Sequence, residues 1–193
     1  MNRLLRLSPL LAGLALVVLP SCALVTLPYI YAGTGISRTN SSTGDSPKFQ
    51  GSVDEQSAIL NVGAGASLGE NFGLEAGVAD LGSHSWNGRW NGAPNSGHVS
   101  TSSTHVSLLG MVPLSEMFSV VGRLGMLFYQ SDYYENAAGF RIEQNKDGNS
   151  PMYGLGVQAA VIDQVAIRLE WTRVPDIWDD SVDLIQLQAL YTF

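Results

Sequence analysis

Four charged residues are embedded in otherwise apolar segments of the sequence: Glu75, Arg123, Arg168 and Glu170. An isolated charge that leaves water is costly, so buried carboxylates and guanidinium groups must pair with each other. If these segments are β-strands, side chains alternate between two faces, and all four charges can point into one interior. We therefore expect a Glu–Arg network, joined by His105, Gln158, Gln186 and Gln188. It could fix the packing of the interior, line a gated pore or proton path, or form an enzymatic site.

His105 and Ser107 are the pair that could carry out nucleophilic catalysis. A base must reach the hydroxyl, and a third group must orient that base. A spacing of two residues on one strand face permits the first contact, but no carboxylate stands at a matching place, and Glu116 falls in a predicted turn. We expect two polar residues of the interior, with a hydrolase as the alternative. We predict no catalytic residue, no cofactor and no metal site.

Eight segments have the period-two alternation of β-strands, in which one face is apolar throughout and the other is rich in glycine and polar residues. The last strand shows it well, with Ile185, Leu187, Ala189 and Tyr191 on one face and Gln186 and Gln188 on the other. The predicted strands span residues 28–37, 57–68, 72–81, 100–114, 118–130, 152–162, 165–173 and 183–193.

The connections between these strands alternate in length. Polar runs that we interpret as exposed loops cover residues 38–55, 84–98, 131–150 and, more briefly, 175–180. The other three connections are short turns. Membrane barrels with an even strand count show this asymmetry, and an apolar face of about ten residues suits a tilted spanning strand. The sequence therefore predicts an all-β fold, an eight-stranded antiparallel up-and-down transmembrane β-barrel. A soluble eight-stranded barrel with the apolar face inward is the alternative.

Two groups of loop residues could bind ligands. Oxygen-rich loops can hold Ca²⁺, but the acids in the last loop do not match the EF-hand spacing, so we expect solvated charge. Cations that bridge these acids to anionic lipopolysaccharide are the alternative. Two tryptophans could form a sugar- or partner-binding surface, although we favour anchoring at the membrane interface. The acids are Asp176, Asp179, Asp180 and Asp183, around Trp178, and the tryptophans are Trp86 and Trp90.

The first residues have the features of an export signal. Arg3 and Arg6 precede an apolar stretch, and Ser21 and Ala23 provide small residues for cleavage. We expect a signal peptide at residues 1–23 and a barrel domain at residues 24–193. Cys22 could instead be the acylated cysteine of a lipoprotein signal. As the single cysteine, it excludes a disulfide framework.

The charge balance excludes a nucleic-acid partner. The chain has 10 basic and 17 acidic residues, and removal of Arg3 and Arg6 brings the net charge from −7 to −9. Phosphate backbones require basic patches, which a chain of this composition does not supply.

The pattern resembles the small OmpA-type eight-stranded outer-membrane barrels across essentially the whole mature chain. The resemblance is carried by residues 29–36, 63–65, 72–77, 168–171 and 191–193. It implies that the aromatic C-terminus is a signal read by the barrel assembly machinery, and that Phe72, Phe118, Tyr191 and Phe193 belong to an aromatic girdle. We expect no peptidoglycan-binding domain, so the tethering role of the longer family members is not implied.

These observations predict an outer-membrane protein with a structural or surface-interaction role. Its expected partners are outer-membrane lipid and lipopolysaccharide, the barrel assembly machinery and a surface ligand on the loops. A small ion or solute channel is the first alternative. The second is a lipid A-modifying enzyme that uses His105 and Ser107, although both residues are expected to face the lumen, away from lipid A.

Overall fold

The computed structural model describes residues 26–40, 49–53, 56–137, 140–177 and 180–193. The predicted export signal, Cys22, Trp178 and Asp179 lie outside the described residues. The described strands are β1 Thr26–Asn40, β2 Phe49–Val53, β3 Gln56–Leu68, β4 Phe72–Trp90, β5 Ala93–Pro113, β6 Phe118–Ala137, β7 Phe140–Ile162, β8 Val165–Ile177 and β9 Asp180–Thr192. The described part contains no helix of the length and apolarity that a membrane crossing requires.

Eight of these strands form a closed barrel. Strands β1 and β3 to β9 each pair antiparallel with two neighbours, and β1 is shared between β3 and β9. The short β2 pairs only with the far end of β4, so it is an addition to the barrel wall. The predicted eight-stranded antiparallel up-and-down barrel is confirmed.

The apolar face of each of the eight barrel strands points outward. Leu60, Leu124 and Leu155 are each more than 60% exposed, whereas Leu109 and Val121 on the opposite faces are fully buried. This inversion of the soluble pattern is expected when lipid is the surrounding solvent and side chains fill a narrow lumen. It excludes the soluble barrel, in which the apolar face would point inward.

Three short turns lie at one end of the barrel, which we call the turn end. They comprise residues 69–71, 114–117 and 163–164. The sequence predicted all three, with the second one residue shorter, at 115–117. Gly69 begins the first turn with φ of 71°, a conformation that glycine adopts without strain. In the second, Ser115 Oγ accepts hydrogen bonds from the backbone N–H groups of Met117 and Phe118, at 3.3 and 3.1 Å.

The opposite end carries a projecting β-sheet where the sequence predicted irregular loops. Strands β4 and β5 continue to a two-residue turn at Asn91 and Gly92, whose φ angles of 50° and 84° match a tight hairpin turn. Strands β6 and β7 pair as far as Ala137 and Phe140. We call this the protruding sheet: β2, residues 83–90 of β4, 93–100 of β5, 131–137 of β6 and 140–149 of β7.

The predictions of loops at residues 84–98 and 131–150 were therefore wrong. The predicted loop at 175–180 is also shorter than expected, because β8 continues to Ile177 and β9 begins at Asp180. Beyond the membrane both faces of a strand meet water, so the apolar and polar alternation that identifies a strand disappears. These segments are rich in polar side chains, which led to their interpretation as loops.

Candidate functional site

The barrel interior brings Glu75, Arg123, Arg168 and Glu170 together, and we call these four residues the charge cluster. Glu75 lies on β4, Arg123 on β6, and Arg168 and Glu170 on β8. Small residues on neighbouring strands make room for them. Gly156 stands directly opposite Glu170, where an added Cβ would come within 3.2 Å of the Glu170 Cβ.

The ion pairs of the charge cluster are short and shielded from solvent. Arg123 Nη2 lies 2.6 Å from Glu75 Oε2, and Arg123 Nε lies 2.6 Å from Glu170 Oε1. Arg168 Nη1 lies 2.7 Å from Glu75 Oε1 and 3.8 Å from Glu170 Oε2. All four side chains are at most 2% exposed. Two cations and two anions therefore meet in one neutral group.

Neutral side chains complete the shell around these charges. Tyr29 Oη donates to Glu75 Oε1 at 2.8 Å, and Thr172 Oγ1 donates to Glu170 Oε1 at 2.7 Å. Gln158 Oε1 accepts from Arg168 Nε and Nη2 at 3.1 and 2.9 Å. Arg123 Nη1 is the one guanidinium nitrogen of the cluster with no hydrogen-bond partner among the described residues. This density of bonds holds the charges in a fixed arrangement.

Two of the four expected polar partners reach the charge cluster. Gln158 does so, and Gln188 Oε1 lies 3.5 Å from Arg168 Nη1. His105 Nε2 instead pairs with Tyr31 Oη at 2.8 Å, and Gln186 Oε1 accepts from Asn61 Nδ2 at 2.9 Å. The sequence reasoning missed Tyr29 and Thr172 as partners, although the alternation of their strands had put both on the inner face.

His105 and Ser107 do not form a base and nucleophile pair. The His105 ring bonds Tyr31, while Ser107 Oγ contacts Met152 Sδ at 3.8 Å. Both residues are buried in the interior, away from the lipid-facing surface. The geometry therefore gives no support to hydrolysis by this pair.

Apolar side chains lie on both sides of the charge cluster. Towards the protruding sheet, buried side chains form a continuous layer; these are Ile59, Leu81, Leu127, Tyr129, Met152, Val174, Ile177, Val182 and Leu184. Towards the turn end, Tyr29, Tyr31 and Leu190 pack together. A void beside the charge cluster has a volume of about 10 Å³, which is room for about one water molecule.

Trp86 lies on the inner face of the protruding sheet. Its ring packs on Tyr133 at 5.4 Å between centroids, and its Nε1 donates to Asn95 Oδ1 at 2.7 Å. Glu135 accepts from Asn95 Nδ2 at 2.6 Å and from Tyr133 Oη at 2.8 Å. Burial raises the pKa of Tyr133, and the hydrogen bond to Glu135 raises it further.

The expectation that Trp86 anchors at the lipid interface was wrong, because a β-bulge in β4 turns its side chain from the outer to the inner face of the sheet. The register of β4 against β5 shifts between Asp80 and Ser83, with Gly82 at φ of 83°. Residues of β4 that face inward are odd-numbered up to Leu81 and even-numbered beyond the bulge. Trp90 lies at the end of β4, beside the two-residue turn.

The acids predicted for the last loop lie along two strands. Asp176 is on β8, and Asp180 and Asp183 are on β9. Asp183 Oδ2 lies 3.5 Å from Arg173 Nη1. Within the described ranges, no three histidine, cysteine or acidic residues are grouped so as to hold a metal ion.

The aromatic residues predicted for a girdle lie at the turn end, pointing outward. Phe72, Phe118, Tyr191 and Phe193 are all exposed. Tyr191 and Phe193 make an edge-to-face contact at 5.3 Å, and the Phe193 N–H donates to the Pro28 carbonyl at 3.1 Å.

Comparison with solved structures identifies small outer-membrane barrels. Ail, the attachment invasion locus protein of Yersinia pestis, crystallised with the heparin analogue sucrose octasulfate, shares 17% identity at a TM-score of 0.60, covering 87% of this chain and 99% of that chain. Neisserial surface protein A shares 13% sequence identity at a TM-score of 0.53, and the match covers 86% of this chain and 97% of that chain. The N-terminal β-barrel domain of Pseudomonas aeruginosa OprF shares 7% sequence identity at a TM-score of 0.53, with the same coverage of the two chains.

Because these sequence identities are low, the structural similarity shows that the folds agree and shows nothing further about function. No curated protein sequence matches the chain. The family model of the OmpA-like transmembrane domain matches residues 28–188. The protein is an outer-membrane protein. In barrels of this kind the short turns lie in the periplasm and the longer connections lie outside the cell. The chain belongs to the OmpA-like transmembrane domain family.

Proposed function

We propose that this protein is a non-enzymatic surface protein that binds an extended segment of a partner protein along the outer edge of β7. The observation that carries this proposal is the open edge of the protruding sheet. Residues 140–152 pair with β6 on one side, whereas pairing with β8 begins only at Tyr153. The Asp176 N–H of β8 donates to Ser150 Oγ at 3.2 Å, but among the described residues no strand pairs with the other side of residues 140–149.

An edge of this kind presents backbone N–H and C=O groups that an incoming strand can bond. Residues 141–147 are exposed on both faces, so the described residues leave this segment accessible to a partner strand. The edge carries charges of both signs, Arg141 and Lys146 with Glu143 and Asp147. A partner segment with the complementary order of charges would be favoured over other segments.

The charge of the protruding sheet favours a protein segment over a sulfated polysaccharide. Ail was crystallised with a heparin analogue, which carries many negative charges. The described charges of this sheet are Arg89, Arg141 and Lys146 against Asp132, Glu135, Glu143 and Asp147. A surface with more acids than bases has no electrostatic attraction for a polyanion.

The interior supports a closed barrel rather than a channel. An ion that crosses the lumen would have to break the ion pairs of the charge cluster and pass the apolar layers on either side. We infer that the charge cluster has a structural role and that the protein carries out no catalysis. We also infer that residues 1–23 direct export and are removed, and that the C-terminal aromatic residues direct assembly of the barrel.

Two adjacent proline variants test the edge. The N–H groups of successive strand residues point to opposite sides, so one of Gln144→Pro and Asn145→Pro removes an N–H on the open edge, and the other removes a bond to β6. Peptides selected from a random linear library on the wild type in lipid nanodiscs serve as probes. We expect the open-edge variant to keep its heat-modifiable gel mobility and to lose peptide binding.

Hydrogen exchange identifies the surface that the peptides occupy. Peptide binding should slow the exchange of backbone amides in residues 140–149 and leave the β4 and β5 hairpin unchanged. Peptides that bind both proline variants as they bind the wild type would contradict the edge proposal. Stepwise conductance in planar bilayers would favour the channel instead.

A further inference from the structure

The open edge of β7 carries its charges in an order that matches a reversed copy of itself. Among the described residues the open segment spans 140–149, so its midpoint falls between Gln144 and Asn145. When two such segments run antiparallel and are centred on Gln144, each residue faces the one that lies equally far from Gln144 on the other copy. Arg141 of each copy then faces Asp147 of the other, which gives two cross-strand pairs of opposite charge.

The remaining pairs in this register bring no like charges together. Side chains that face each other across a ladder must lie on the same face of the sheet, so the segments can shift only in steps that keep this match. The other register that uses the whole edge is centred on Asn145, and it would set Glu143 of each copy against Asp147 of the other. Charge therefore favours the register centred on Gln144, in which Glu143 faces Asn145 and Ile142 faces Lys146.

We propose that the segment bound by this edge is β7 of a second copy of the chain, held in a facing membrane. The inference rests on the proposed function, because it names the occupant of the same edge. Chemically, the occupant is an extended strand with the charge order of residues 141–147. Its backbone groups would continue the ladder of the protruding sheet across two molecules.

The tilt of barrel strands explains why the second copy must lie in a facing membrane. Two copies in one membrane that turn their open edges towards each other are related by a rotation about the membrane normal. Strands tilted by about 35–45° from that normal would then cross at about 70–90°, so their backbones could not form a ladder. An antiparallel ladder that keeps the inner faces on one side requires one copy to be inverted, and a facing membrane provides that inversion.

The length of the protruding sheet sets the distance between the two membranes. Tyr153 points outward on β7 and is 42% exposed, at the level where tyrosine marks the membrane interface. Gln144 lies about 30 Å further along the strand, which corresponds to a height of about 23 Å at the usual tilt. Two copies joined at Gln144 would therefore hold their membranes about 45 Å apart.

The side chains that would form the ion pairs are accessible. Arg141 lies 2.6 Å from Glu143 and over the Tyr134 ring at 4.6 Å, but both members of the Arg141–Glu143 pair are 65% exposed. Exposed ion pairs are held weakly, and a guanidinium group has five donors. Arg141 can therefore accept the exposed Asp147 of the second copy as a further anion while it remains beside Glu143.

A single contact of this kind is weak, because it consists of one pair of short strands. Many copies on each of two facing surfaces act together, and their combined strength greatly exceeds that of one contact. The interaction is therefore suited to adhesion between two membranes that carry the protein, and the test must present many copies on each surface.

The test measures docking between two populations of phosphatidylcholine vesicles that carry the folded protein. One population contains a donor fluorophore and the other an acceptor, so energy transfer reports docking. A chelator is present throughout, which prevents divalent cations from bridging acidic surfaces. The main variants are Arg141→Asp and Asp147→Arg. Their controls, Arg89→Asp and Asp132→Arg, make the same charge changes on other strands of the protruding sheet, and heat-modifiable gel mobility verifies folding.

We expect wild-type vesicles to dock with a gap of about 45 Å in cryo-electron micrographs. Arg141→Asp and Asp147→Arg should each reduce docking between vesicles of their own kind about tenfold, because two attractive pairs become repulsive. Vesicles with Arg141→Asp should dock with vesicles that carry Asp147→Arg about as well as the wild type does, since every aspartate then faces an arginine. Both control variants should dock like the wild type.

A cross-link tests the register independently of charge. Gln144 faces its own copy, so Gln144→Cys should form a disulfide between two copies under mild oxidation. Asn149→Cys on the same edge should not, because the two cysteines would lie at opposite ends of the paired segment.

Three results would overturn the proposal. If the mixed charge variants dock no better than each variant does alone, the register is wrong. If both charge variants dock as the wild type does, the contact lies elsewhere. If library peptides bind the edge while wild-type vesicles remain apart, the second copy is not the occupant and the proposed function stands; loss of peptide binding as well would remove both.

Discussion

Replacement of Glu75 by glutamine should destabilise the barrel by about 3–5 kcal/mol, the usual cost of removing one partner from a buried ion pair. Glu75 Oε2 accepts from Arg123 Nη2 at 2.6 Å, and Oε1 accepts from Arg168 Nη1 at 2.7 Å. The glutamine retains one acceptor oxygen and turns an amide nitrogen towards a guanidinium donor. Two buried cations would then share one anion, Glu170.

The measurement is urea unfolding of the protein in lipid vesicles. With a slope of about 2 kcal/mol per molar urea, the unfolding midpoint should fall by about 2 M. Glu143→Gln is the matched control, because the Arg141–Glu143 pair has the same 2.6 Å distance and side chains that are 65% exposed. That exposed pair should contribute at most about 1 kcal/mol.

A second variant separates charge from packing. Glu75→Gln combined with Arg168→Gln restores the neutrality of the cluster, so it should recover part of the stability that Glu75→Gln loses. The double-mutant cycle gives the coupling between the two residues. A loss below about 1 kcal/mol for Glu75→Gln would refute the reasoning, since only water in the lumen could screen the charges so well.

Two further predictions concern the barrel wall and the protruding sheet. Gly65→Val should prevent formation of the heat-modifiable folded band, because its Cβ would lie 2.5 Å from Tyr29 Cζ, whereas Gly110→Ala, with nothing described within 4 Å, should fold normally. Tyr133→Phe should lower the free energy of opening of the protruding sheet, measured by hydrogen exchange, by about 1 kcal/mol. Because the folded state raises the pKa of Tyr133 above its ordinary value of about 10, this difference should be complete below about pH 10 and shrink above it. A difference that grows with pH above that value would contradict the assignment.

Alternation along the strands was enough to predict the barrel and its inner face. A carboxylate such as Glu75 between apolar neighbours can only point inward when the other face meets lipid. The hydrogen-bond partners of each charged side chain could not be predicted from alternation. They depend on which residues the strand register brings to one level, as when Arg168 meets Gln158 and His105 turns to Tyr31.

The protruding sheet and the position of Trp86 could not be derived from a period-two pattern. Water on both faces removes the pattern itself from strands such as residues 140–149. The bulge at Gly82 shifts the register of β4, so every later residue of that strand changes side. A glycine can also occupy a regular strand position without a bulge, and only the positive φ of Gly82 identifies the bulge here.

The distribution of the charge cluster along the chain has a consequence for folding kinetics. Arg123 bonds Glu75 across 48 residues, Arg123 bonds Glu170 across 47, and Arg168 bonds Glu75 across 93. Strand β8 holds both signs, with 3.8 Å between Arg168 Nη1 and Glu170 Oε2. A hairpin that contains only one of β4 and β6 would instead bring Glu75 or Arg123 into the bilayer unneutralised. Contacts between such distant residues also form slowly, because long loops must close first. Membrane entry of β4 and of β6 are therefore coupled, and the sheet from β4 to β8, five of the eight barrel strands, is the smallest that holds the whole charge cluster.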